Sequence, residues 1–145
     1  MKLVIVAERS IGTPYLSVVS MIARIVLREP GMEVAIRASL DNVPASPVEG
    51  AMSEVARICD AILVQYTPQV GGKDSRANIY HRDYQLVTGA DLVVAFFSEG
   101  SDMGGGTGHV VKAAIDRGVA TMAYSVNLEG HVVPLLDGAI GEEGE

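Results

Sequence analysis

Alternation is the feature that most constrains this chain. Five short apolar runs are separated by segments in which apolar residues recur at helical spacing. The first run, Leu3 to Ala7 (LVIVA), is continuous and branched, as in a strand buried on both faces. Met32 to Ala38, Ala61 to Tyr66, Asp91 to Phe97 and Ala120 to Val126 predict four more strands. Between the first two, Leu16, Val19, Ile22, Ala23, Val26 and Leu27 mark a helix with Pro14 in its first turn, stopped by Pro30-Gly31. Ser46 as cap, Pro47 at the first position and Glu49 in the first turn open a second helix, whose stripe runs through Val48, Met52, Val55, Ala56 and Cys59. Ser75 to Thr88 predicts a third, with Ile79, Leu86 and Val87 facing inward, and Thr107 to Arg117 a fourth, ended by Gly118.

Strand and helix in strict alternation predict an α/β fold, a Rossmann-like three-layer sandwich with a five-stranded parallel sheet and helices on both faces. In the Rossmann strand order, the first and fourth strands are neighbours and ligands bind outside their carboxyl ends. The crevice is thus expected where residues 8–13 meet Ser98 to Ala114, SEGSDMGGGTGHVVKAA. Residues 1–126 are expected to form this domain and 127–145 an extension. In that extension, 132–136 is an edge or dimer element and the terminal GEEGE is disordered. The apolar 132–136 segment also points to a homo-oligomer.

Charge narrows the partners. A net charge of -7 disfavours a nucleic-acid partner, which is held through Lys and Arg. It leaves room for a small anion held locally by a helix N-terminus and one or two arginines. The single cysteine, Cys59, excludes a disulfide framework, favours a reducing compartment and reads as a small core residue. MKLVIVAERS turns polar too soon for a leader, and no apolar run approaches the roughly 20 residues of a membrane span. A cytoplasmic protein with no membrane partner is expected.

The glycine loop offers two readings. Gly104, Gly105, Gly106 and Gly108 can adopt positive φ and expose N–H groups, and Thr107 can cap the helix that begins there, which suits a phosphate or carboxylate. The plainer reading is a tight strand-to-helix connection. The loop is no Walker A site, since no Lys-Ser or Lys-Thr pair follows it, and it lacks the dinucleotide fingerprint; G-x-S-x-G is absent too. No cofactor or metal is expected. Arg9 and Ser10, directly after the first strand, should point into the crevice, where an arginine pairs with phosphate. Arg82, and His109 in the first turn of the fourth helix, are further candidate ligand contacts. Glu99, Asp102 and Glu49 are the candidate carboxylates for acid–base or nucleophilic work, with solvated acids as the plain alternative.

HisArgAsp (81 to 83), the run GADLVVAFF (89 to 97), then Gly-Gly-Thr opening a helix and the closing strand VATMAY resemble the SLOG superfamily. These Rossmann-like domains include the DNA-processing protein A domain and the lonely-guy phosphoribohydrolases. The likeness is to the small stand-alone members, over roughly residues 2 to 126. It implies a nucleotide or nucleotide-derived ligand, with phosphate at Gly105, Gly106 and Thr107 and contacts from Arg82. The lonely-guy enzymes carry a catalytic glutamate three residues after their Gly-Thr, where this chain has Val110, and Asp83 stands where the small members have Asn. The expectation is therefore a binding module. An N-glycosidic hydrolase or transferase using Glu99, Asp102 or Glu49 is the alternative.

Overall fold

The computed structural model describes residues 1–68 and 76–136. The expected loop at 70–74, the helix start at Ser75 and the GEEGE end lie outside the described residues. In chain order the elements are β1 (Lys2–Ala7), α1 (Leu16–Val26), β2 (Glu33–Arg37), α2 (Pro47–Gly50), α3 (Met52–Ile58), β3 (Ile62–Tyr66), α4 (Arg76–Val87), β4 (Leu92–Ser98), α5 (Gly106–Asp116), β5 (Thr121–Val126) and β6 (Val132–Leu136). They form one sheet of order β3-β2-β1-β4-β5-β6, the doubly wound arrangement expected from the alternation. The first five strands are parallel.

β1 shows why both faces are covered. Leu3, Ile5 and Ala7 enter one core with Val18, Ile22 and Ile25 of α1 and Val48, Met52 and Val55 of α2 and α3. Val4 and Val6 enter the other with Leu86 and Val87 of α4 and Val110, Val111 and Ala114 of α5. Every β1 residue from Leu3 to Ala7 is fully buried, so an unbroken apolar run was needed there.

Four expectations are corrected. The sheet has a sixth strand: β6 pairs antiparallel with β5. Of the two roles open to 132–136, it takes that of an edge strand, where Pro134, which cannot donate to a ladder, is tolerated. α1 begins at Leu16 behind an extended Tyr15, leaving Pro14 outside it. Its buried face is Val18, Ile22, Ile25 and Val26, whereas Leu16 and Leu27 lie exposed: the stripe sits about one residue round from the one the spacing suggested. The second helix is two. The Ala51 N–H turns back to the Pro47 and Val48 carbonyls, a tightened turn after Gly50, a poor helix former. Cys59 ends α3 half-buried against the core as a free thiol. No helix among the described residues is long and apolar enough to cross a membrane.

Candidate functional site

At the carboxyl ends of β1 and β2 the strands stop on charged residues, Glu8 just after β1 and Arg37 closing β2. Beside them stands the start of α2, where Ser46 is the N-cap residue. The Ser46 hydroxyl accepts from the Glu49 N–H at 3.1 Å and donates to Glu49 Oε1 at 2.9 Å. This places the fully buried Glu49 carboxylate under the sheet end. Its Oε1 also accepts from the Ala7 N–H at 3.2 Å and Arg37 Nη2 at 2.6 Å. Its Oε2 accepts from the Arg37 N–H at 3.1 Å and Arg37 Nε at 3.0 Å.

Arg37 is as tightly held. Its Nη2 shares its two N–H groups further with the Ala7 carbonyl at 3.0 Å and Thr107 Oγ1 at 3.1 Å, joining β1, β2, α2 and α5 through one guanidinium. Burial acts to lower its pKa. The charge of Glu49, that carboxylate's hydrogen bonds and the charge of Asp83 outweigh burial and hold it above the ordinary arginine value. Arg37 is therefore a permanent cation here.

A second charged group stands alongside. Arg82 donates from Nε and Nη2 to Asp83 Oδ1 at 3.2 and 3.1 Å and from Nη1 to the Ala38 carbonyl at 3.0 Å. The other Asp83 oxygen lies 2.9 Å from His109 Nδ1. Tyr80 stacks on the His109 ring with centroids 4.0 Å apart, and Tyr84 meets its edge at 5.8 Å. Helix α4 thus buries Arg82 and Asp83 while its tyrosines stay half exposed.

These groups surround a cavity of about 640 Å³. Arg37, Arg82 and Arg9 line it, with Glu8, Ser10 and Ser39 as further polar groups; Val43, Pro44, Ala45 and Ile79 make an apolar wall. Gly105, Gly106 and Thr107 complete it with the N-terminus of α5, where the first N–H groups have no partner within the helix and the dipole is positive. A neighbouring cavity of about 280 Å³ lies against Ser98, Glu99, Tyr15 and Asn127, and Ser10 lines both.

The structure brings together Arg9, Ser10, Arg82, Gly105, Gly106 and Thr107 of the candidate residues. It separates the others. Gly104 does not line the cavity, and its N–H is taken by Asp102 Oδ1 at 2.9 Å. His109 lines neither cavity and is engaged with Asp83 and Tyr80. Of the candidate carboxylates, Glu99 lines only the smaller cavity and Asp102 neither, while Glu49 is sealed and saturated with donors.

The glycines also act differently from expectation. None of Gly104, Gly105, Gly106 and Gly108 has positive φ; in this loop that conformation falls to Gly100 and Met103. The helix cap is Gly105, with no side-chain cap bond, and Thr107 instead turns its hydroxyl to Arg37. What Gly108 supplies is room: a β-carbon there would stand 1.9 Å from the Met103 carbonyl oxygen. Glu8 holds the same loop from the other side, accepting from the Ser98 N–H at 2.8 Å and the Ser101 hydroxyl at 2.7 Å.

Arg37 and Glu8 were not singled out from sequence, although a signal existed. In EVAIR an otherwise apolar strand ends on a charged residue, at the end of the sheet where ligands bind. Among the described residues no group of three or more His, Cys, Asp or Glu side chains is placed to hold a metal ion. No family model matches the chain, and no curated protein matches it.

Proposed function

We propose that the chain binds a nucleotide or nucleotide-derived small molecule in the larger cavity, as a binding module. The observation that carries this is the meeting of the α5 N-terminus with three arginines in one concave site at the sheet's carboxyl edge. Donors of this kind suit a phosphate-type anion. The cavity volume falls in the range of small-molecule sites, and its apolar wall at Val43 to Ala45 and Ile79 suits a base. The likeness to SLOG domains, with phosphate on Gly105, Gly106 and Thr107 and an arginine at position 82, points the same way. A cytoplasmic setting goes with this reading.

The enzyme alternative needs a carboxylate at the anomeric carbon. Glu49, Glu99 and Asp102, the carboxylates the sequence offered for this, all lie off the wall of the larger cavity; Glu8 lines it, with its two oxygens bonded to the Ser98 N–H and the Ser101 hydroxyl. Thermal-shift measurements with a panel of nucleoside mono- and diphosphates test the reading: a saturating ligand raises the melting temperature of the wild type by several degrees. Gly106→Asp should abolish that shift. Gly106 has an ordinary helical backbone, and its β-carbon would lie 3.4 Å from Arg37 Nη1, so the new carboxylate occupies the seat itself while suiting a helix N-terminus. A panel in which no nucleotide shifts the wild type overturns the proposal.

A further inference from the structure

The guanidinium of Arg37 is used unevenly. Its Nε and Nη2 are engaged with Glu49, Ala7 and Thr107. Nη1, which carries two N–H groups, has no protein acceptor among the described residues. This is not a burial defect, because among those residues no buried side-chain nitrogen or oxygen lacks a partner. Nη1 is therefore the part of this side chain, 6% exposed overall, that reaches the cavity. It lies against Gly106, at the N-terminus of α5. The cation is fixed by the strand end, by Glu49 and by Thr107, so little of its freedom remains to be lost when an anion arrives.

Facing the same space is a charge of opposite sign. Glu8 is the one carboxylate among the described residues lining the larger cavity, and its two oxygens are tied to the Ser98 N–H and the Ser101 hydroxyl. Those bonds hold it in place without neutralising it. A carboxylate accepts about four hydrogen bonds, so each oxygen keeps capacity for a ligand donor. It repels a second anionic group for the same reason.

Resting on the reading of this cavity as an anion site, we infer that Arg37 is its anion-binding side chain and that Glu8 restricts the seat to a single phosphate-type group. Arg37 Nη1 and the α5 N–H groups take the phosphate oxygens. Glu8 takes an uncharged donor, a hydroxyl or amine, on the body of the ligand. A phosphate monoester fits this division of charge, and a pyrophosphate extending toward Glu8 does not.

Calorimetric titration of the full chain with inorganic phosphate and with pyrophosphate tests both parts. The wild type should bind phosphate more tightly. Arg37→Met/Glu49→Gln, which removes both charges and keeps an acceptor for one of the Ala7 and residue-37 N–H groups, should weaken phosphate by about ten- to a hundredfold. Glu8→Gln should improve pyrophosphate by about tenfold and phosphate by less. In the unaltered protein, phosphate should also shift the nitrogen resonances of the Arg37 guanidinium, a measurement independent of how the variants fold. Phosphate binding with those resonances unmoved, or retained at full strength in the double variant, overturns the assignment of Arg37. Pyrophosphate binding unaltered in Glu8→Gln overturns the role of Glu8. A wild type that binds neither phosphate nor any nucleotide overturns the cavity reading itself.

Discussion

The two halves of the sheet equip the crevice in different ways. The β1–β3 half supplies side-chain charge: Arg37 at the end of β2, Glu8 and Arg9 after β1, and Glu49 from α2 beneath them. The β4–α5 half supplies mostly backbone, through Gly105, Gly106 and the start of a helix. A charge has to be compensated where it stands, so the first half is bound up in a dense hydrogen-bond network. Backbone dipoles need only be aimed, so the second half depends on steric room. The same sheet edge is thus maintained by electrostatics on one side and by packing on the other.

The largest effect should come from the charged half. Arg37→Met leaves Glu49 as an unpaired buried carboxylate, which should cost about 3–5 kcal/mol in urea unfolding. Arg37→Met/Glu49→Gln should recover part of that loss, since the amide can accept from only one of the two N–H groups that Glu49 serves. If the single variant is as stable as the wild type, the charged half is not governed by compensation and the contrast fails. On the other side, Gly108→Ala forces the Met103 carbonyl away, and an overpacking cost of about 1–3 kcal/mol is expected, together with weaker ligand binding as the turn shifts. An unperturbed Gly108→Ala protein would show that room is not what this half needs.

Thr107→Val tests the seam between the halves. It removes one acceptor from an Arg37 Nη2 that retains two others, so the loss should be about 1 kcal/mol. The smallest effect is expected away from the crevice. Arg57 and Glu54 pair on the exposed surface of α3, and the side-chain hydrogen bond from Arg57 lowers the Glu54 pKa. Such a contribution would exist above the ordinary carboxylate pKa and fade as pH falls through the lowered value. Solvent screens it, and Glu54→Gln should leave the melting temperature unchanged at neutral pH. A measurable drop would mean that burial is not what separates Arg37 from Arg57.

The fold was largely legible because each strand is an apolar run bounded by polar residues, and periodicity reports that directly. LVIVA and LVVAFF could sit only in the middle of a covered sheet. The site was legible in part. Glycine and threonine announce themselves in a loop, so Gly105, Gly106 and Thr107 could be placed at the crevice whose cavity they line. Arg37 and Glu8 were missed because each is one charged letter at a strand end, and its importance comes from partners far away in sequence. Glu49 was read correctly as a first-turn acid. Its burial follows from Arg37 reaching it across a chain separation that no local pattern encodes. His109 pairs with Asp83 for the same kind of reason, a contact between two helices.

Gly108 has a consequence for how sequences of this kind are compared. The turn from β4 into α5 brings the Met103 carbonyl into the space that any side chain at 108 would need. Descendants that keep this turn must keep the glycine, whether they hold a nucleotide, another anion or nothing. Its presence in another chain is a record of shared architecture, while on the proposed reading a change of ligand should be sought at the positions of Glu8 and Arg37.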